Sequence, residues 1–108
     1  MIKFNNHIET VIKIVSEKYA DISAKIEVVE NMPEGFSQDS LGCTLFPDDG
    51  TMPIIFIRYD LPYVGFIDIL AHELAHVIVG PNAEEDEHGE LFQKAYDWIN
   101  TEYLKVYN

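Results

Sequence analysis

The chain has 108 residues, 47% of them hydrophobic, which is material for one core and too little for two domains. Its 19 acidic residues against 7 basic ones give a formal net charge of −12, a balance that repels phosphate backbones and argues against direct nucleic-acid binding. The single cysteine, Cys43, excludes an internal disulfide.

The opening residues 1–9 have no basic region leading into an apolar core and no small-residue cleavage site, so no signal peptide is expected. With one cysteine, this points to a cytoplasmic protein. From residue 7 to residue 19 the apolar residues Ile8, Val11, Ile12, Val15 and Tyr19 recur at spacings of three and four, with Glu9, Lys13, Glu17 and Lys18 elsewhere around the barrel. That period predicts an amphipathic helix, capped by Asn5 or Asn6 and covering a sheet. His7, at its start, reads as a surface residue.

Residues 25–30 alternate with a period of two and are rich in β-branched side chains, which predicts a first strand. Residues 31–35 end it, residues 36–40 are polar and loop-like, and residues 41–46 give a second strand. The turn Pro47-Asp48-Asp49-Gly50 then reverses the chain into a third strand over residues 52–59, paired with the second as a hairpin. Cys43 reads as core, because no second thiol accompanies it.

Asp60, Leu61 and Pro62 stop the third strand and start a helix, with Pro62 tolerated in its first turn, and Gly80-Pro81 ends it. The apolar-rich residues 61–79 of this segment are broken by Asp68, His72, Glu73 and His76, so they describe a buried functional helix and not a membrane span. A short acidic connection, residues 82–87, leads to His88-Gly89 and a last helix whose apolar face is Leu91, Phe92, Ala95, Tyr96, Ile99 and Tyr103. The order of elements defines a single α+β domain over residues 1–108. It has an N-terminal helix, a small three-stranded and mainly antiparallel sheet, and two further helices.

The chemistry is carried by His72-Glu73-Leu74-Ala75-His76, an H-E-x-x-H pattern on a helix. Positions four apart lie on nearly the same face, so the two imidazoles address one point in space and can grip one ion. Glu73 lies on the neighbouring strip, where it reaches a water on that ion without being a ligand. Polar groups on an otherwise apolar helix need partners, and a zinc ion satisfies them economically.

Two histidines do not complete a catalytic zinc site, which takes three protein ligands and leaves a position for water. The metzincin spacing fails, since Val79 and Asn82 stand where it requires Gly and His. His88 is the strongest third ligand, with Glu84, Glu85, Glu87 and Glu102 as rivals. Asp68, one turn before His72, is placed to accept the other ring N–H of a ligating histidine. Tyr63, Tyr96 and Tyr103 are candidates for stabilising an oxyanion.

His72-Glu73-Leu74-Ala75-His76 followed by His88-Gly89-Glu90-Leu91-Phe92 resembles the H-E-x-x-H and H-G-x-x-F/W motifs of SprT-like (Spartan) and related WLM-type zinc metallopeptidases. The resemblance covers about residues 70–92. It implies a minimal zincin-like domain, with His72, His76 and His88 as zinc ligands, Glu73 as general base, and Gly89 and Phe92 packing near the third ligand. SprT-like proteins often add a cysteine zinc ribbon or a basic nucleic-acid-binding region. Neither matches an acidic chain with one cysteine, so what carries over is the catalytic core. The expected activity is zinc-dependent hydrolysis of a peptide or protein substrate, with basic substrates favoured by charge and no membrane partner. The alternative is a catalytically inactive zinc-binding module acting in protein–protein interaction. The oligomeric state is not legible in the sequence.

Overall fold

The structure is a computed structural model that describes residues 7–80 and 89–107. Its elements are α1 (His7–Lys18), β1 (Lys25–Val29), β2 (Gly42–Leu45), β3 (Ile54–Arg58), α2 (Tyr63–Val79) and α3 (Glu90–Tyr107). This is an α+β arrangement of three helices and a three-stranded open sheet. No helix among the described residues is long and apolar enough to cross a membrane.

The strand order is β1-β3-β2, so the last strand inserts between the other two. β2 and β3 form the expected antiparallel hairpin, with Cys43 opposite Phe56 and Thr44 opposite Ile55. β1 instead runs parallel to β3, with Ile26 opposite Ile55 and Val28 opposite Ile57. The sheet is therefore mixed, one parallel pair and one antiparallel pair, because the chain crosses from β1 past the place of β3 before forming the hairpin. Residues 31–41 make that crossing. Gln38 pins them by accepting from the Met32 N–H at 3.0 Å and donating to the Met32 carbonyl at 2.8 Å.

The period-two alternation of β3 builds two cores. Ile55 and Ile57 are fully buried against the helices, with Val11 and Val15 of α1, Leu70, Leu74 and Ala75 of α2, and Phe92, Ala95 and Ile99 of α3. Phe56 points the other way, into a smaller cluster with Met32 and Cys43. On β2 the same alternation turns Cys43 to the small cluster and leaves Gly42 and Thr44 facing α2. At Gly42 the strand lies directly on the helix. A Cβ there would stand 2.5 Å from Ile69 Cγ2 and 3.2 Å from the Phe56 carbonyl oxygen, so only glycine permits this approach.

α2 starts after Pro62, whose carbonyl accepts from Phe66 N–H at 2.8 Å and closes the first turn. It ends at Gly80, where φ is +88° and the N–H donates to the His76 carbonyl at 2.9 Å. α3 packs beside α2 in the opposite direction: Phe92 near its start meets His76, Tyr96 meets His72, and Tyr103 near its end shares His7 with Tyr63 at the start of α2.

Candidate metal centre

The histidines and the glutamate of the H-E-x-x-H stretch occupy the middle and last part of α2, where the helix crosses β2 and passes beneath the first turns of α3. Among the described residues, His72, Glu73 and His76 are the one group of His, Cys, Asp or Glu side chains placed to hold a metal ion, with a ligand atom from each within 4.8 Å of the others. The two imidazole rings are 5.0 Å apart at 71°. Both histidines are half-buried, whereas Glu73 is 5% exposed and is the one buried charged residue among those described. A buried carboxylate without compensation costs several kcal/mol, roughly, so its partners define the site.

Glu73 divides its two oxygens. Oε1 accepts the Thr44 hydroxyl at 2.8 Å, and Oε2 faces the histidines at 4.0 Å from His72 Nε2. Thr44 was not legible as a site residue, since it stands 29 positions away on a different element. The available signal was a polar side chain on the helix-facing side of β2, two residues from a glycine that allows close approach.

Phe92, 1% exposed, forms the wall behind the histidines. Its ring lies 4.5 Å from His76 and 4.8 Å from His72. Tyr96 lies one turn further along α3, with its ring 5.6 Å from His72 and its hydroxyl donating to Asp68. Burial and the Asp68 carboxylate push the Tyr96 hydroxyl up to about 12, so it stays protonated. Asp68 is exposed, and its carboxylate meets the site through the Tyr96 hydroxyl, where the sequence suggested an imidazole N–H.

The other tyrosines lie elsewhere. The Tyr63 hydroxyl accepts the His7 backbone N–H at 2.9 Å, and the Tyr103 hydroxyl bonds His7 Nδ1. Tyr63 precedes His72 by nine residues, roughly 13 Å along α2, and Tyr103 follows Phe92 by eleven, roughly 16 Å along α3. Of the three candidates for an oxyanion donor, Tyr96 alone stands at the site. His7 is half-buried between those two aromatic rings instead of free on the surface. Glu102 follows Phe92 by ten residues, roughly 15 Å along the helix, and binds Lys105 at 3.1 Å, so α3 carries it away from the histidines. His88, Glu84, Glu85 and Glu87 lie outside the described residues, as do Asn5 and Asn6.

Cys43 is buried in the small core with its thiol 3.6 Å from the Met32 sulfur. Burial, and then the nearby Glu73 charge, push its thiol up to about 11, which makes it inert as a nucleophile at neutral pH.

Comparison of the chain with protein-family models, curated proteins and solved structures returns no match. The functional reading therefore rests on the residues and their geometry. Two imidazoles on one helix face with a carboxylate beside them are a donor set that could hold a metal ion.

Proposed function

We propose that this domain is a zinc-dependent metallopeptidase core in which His72 and His76 hold the ion, His88 completes the ligand set, and Glu73 is the general base. The observation that carries the reading is the division of labour at Glu73, one oxygen anchored and the other turned to the histidines. A purely structural zinc site has no need of a general base beside the metal, and the position of Glu73 suits that role. His88 stands two residues before α3 begins, and Phe92 in the first turn of that helix packs on both histidines, which favours His88 over Glu102 as third ligand.

When bound, zinc lowers the pKa of a water to about 7 and polarises a carbonyl oxygen. Glu73 takes the proton of the attacking water at Oε2 and delivers it to the nitrogen of the leaving amine as the C–N bond breaks. Phe92 and Tyr96 keep the imidazoles in place and exclude water behind them. β2 is an edge of the sheet beside Glu73, so an extended substrate would add to it through backbone hydrogen bonds. The net charge of −12 favours a basic peptide or protein substrate. A lone cysteine suits a reducing compartment, which makes the cytoplasm the proposed location.

The test is cleavage of casein and of the basic protein protamine by the zinc-loaded chain, with Glu73→Gln as comparison. The reading predicts cleavage of at least one, suppressed by a chelator, and lost in Glu73→Gln while zinc stays bound at one equivalent. Zinc binding with no cleavage by the unaltered chain would leave the inactive zinc-binding module as the better account.

A further inference from the structure

The general base is a flexible side chain with three rotatable bonds, and its usefulness depends on where its second oxygen points. In this chain the direction is set from outside the helix. The Thr44 hydroxyl on β2 donates to Oε1 at 2.8 Å, which leaves Oε2 on the histidine side. The donor reaches Glu73 because β2 is pressed onto α2 at Gly42, where a Cβ would come within 3.5 Å of Glu73 Cγ as well as collide with Ile69. Thr44 is itself held in register by the hairpin, opposite the fully buried Ile55.

We infer that Thr44 is a positioning residue for Glu73, and that β2 supplies it as part of the catalytic apparatus in addition to forming an edge for substrate. This rests on the peptidase reading. A hydroxyl is the group the site needs, because it donates without adding a charge, and threonine suits a strand through its branched Cβ. Valine has nearly the same shape and removes only the donor. Without it Oε1 loses the hydrogen bond that ties it to β2, the carboxylate is less fixed in orientation, and Oε2 spends less time facing the reacting water.

The experiment compares Thr44→Val and Thr44→Ser with the unaltered chain, each zinc-loaded, in steady-state cleavage of fluorescein-labelled casein, alongside zinc content and circular dichroism. Thr44→Val is expected to lower kcat about 10- to 100-fold with KM within about twofold. Zinc content should stay at one equivalent. Thr44→Ser, which restores the hydroxyl, should return kcat to within about threefold of the unaltered chain. Thr44→Ala provides a second deletion of the donor if valine disturbs the strand, with the same loss expected.

An active unaltered chain whose kcat survives Thr44→Val, or whose loss shows in KM alone, overturns the positioning role while leaving the peptidase reading intact. Failure of serine to restore kcat also overturns it, because it would show that the methyl group and not the hydroxyl matters. Absence of cleavage by the unaltered chain overturns both, and is recognised by Glu73→Gln being indistinguishable from it.

Discussion

The Phe92 ring lies 4.5 Å from the His76 imidazole, tilted by 35°, and this contact couples the start of α3 to the histidine-bearing face of α2. Phe92 is almost wholly buried, so one side chain serves both the main core and the site. Replacing it with alanine should cost about 3–5 kcal/mol of stability. Zinc affinity should fall about 10-fold or more, as for other residues that orient ligands without binding the ion. Unfolding in guanidinium and competition with a chromophoric chelator measure the two effects. Phe92→Leu should recover much of the stability and less of the affinity.

Gly42 has a comparable role on the opposite side of α2. An added methyl group would meet Ile69 Cγ2 at 2.5 Å and the Phe56 carbonyl oxygen at 3.2 Å, and the second of these is backbone that cannot rotate away. Gly42→Ala should destabilise the fold by about 1–3 kcal/mol through overpacking. It should also lower the proposed peptidase activity more than zinc content, since a displaced β2 moves Thr44 from Glu73. Guanidinium titration and metal analysis of the same preparation separate these outcomes.

Much of this architecture was legible because its signals are local. Pro62 and Gly80 bracket α2 where a proline suits a helix start and a positive φ suits glycine, and the spacing of Val11 and Val15 marks the buried side of α1. The pairing of His72 with His76 follows from helical geometry alone. Strand order is a different matter. β1 and β2 both alternate, and nothing in that alternation tells that β3 will lie between them or that β1 will run parallel to it. The Thr44–Glu73 hydrogen bond and the Tyr96–Asp68 pair join positions 29 and 28 residues apart, so their logic exists only once the elements are packed.

Stability should fall at alkaline pH in a defined window. The Cys43 thiol is raised from 9.0 to about 11, mainly by burial, and the Tyr96 hydroxyl from 10.0 to about 12, mainly by burial and then by Asp68. Both groups release their protons more readily when unfolded. Their contribution is therefore complete below about pH 9 and is lost as pH rises through about 11 for Cys43 and about 12 for Tyr96. Melting temperatures at pH 8, 9, 10 and 11 should show a decline that steepens above 9. Cys43→Ala should flatten its early part, and an unchanged slope in that variant would remove Cys43 from the explanation.

The central claim is that His72 and His76 grip one zinc ion. Diffraction from crystals grown with one equivalent of zinc and no affinity tag, recorded on both sides of the zinc absorption edge, tests it most directly. The account predicts a single anomalous peak about 2.0–2.1 Å from a ring nitrogen of each histidine. The absence of a peak after zinc loading, or one that does not touch both imidazoles, would contradict it.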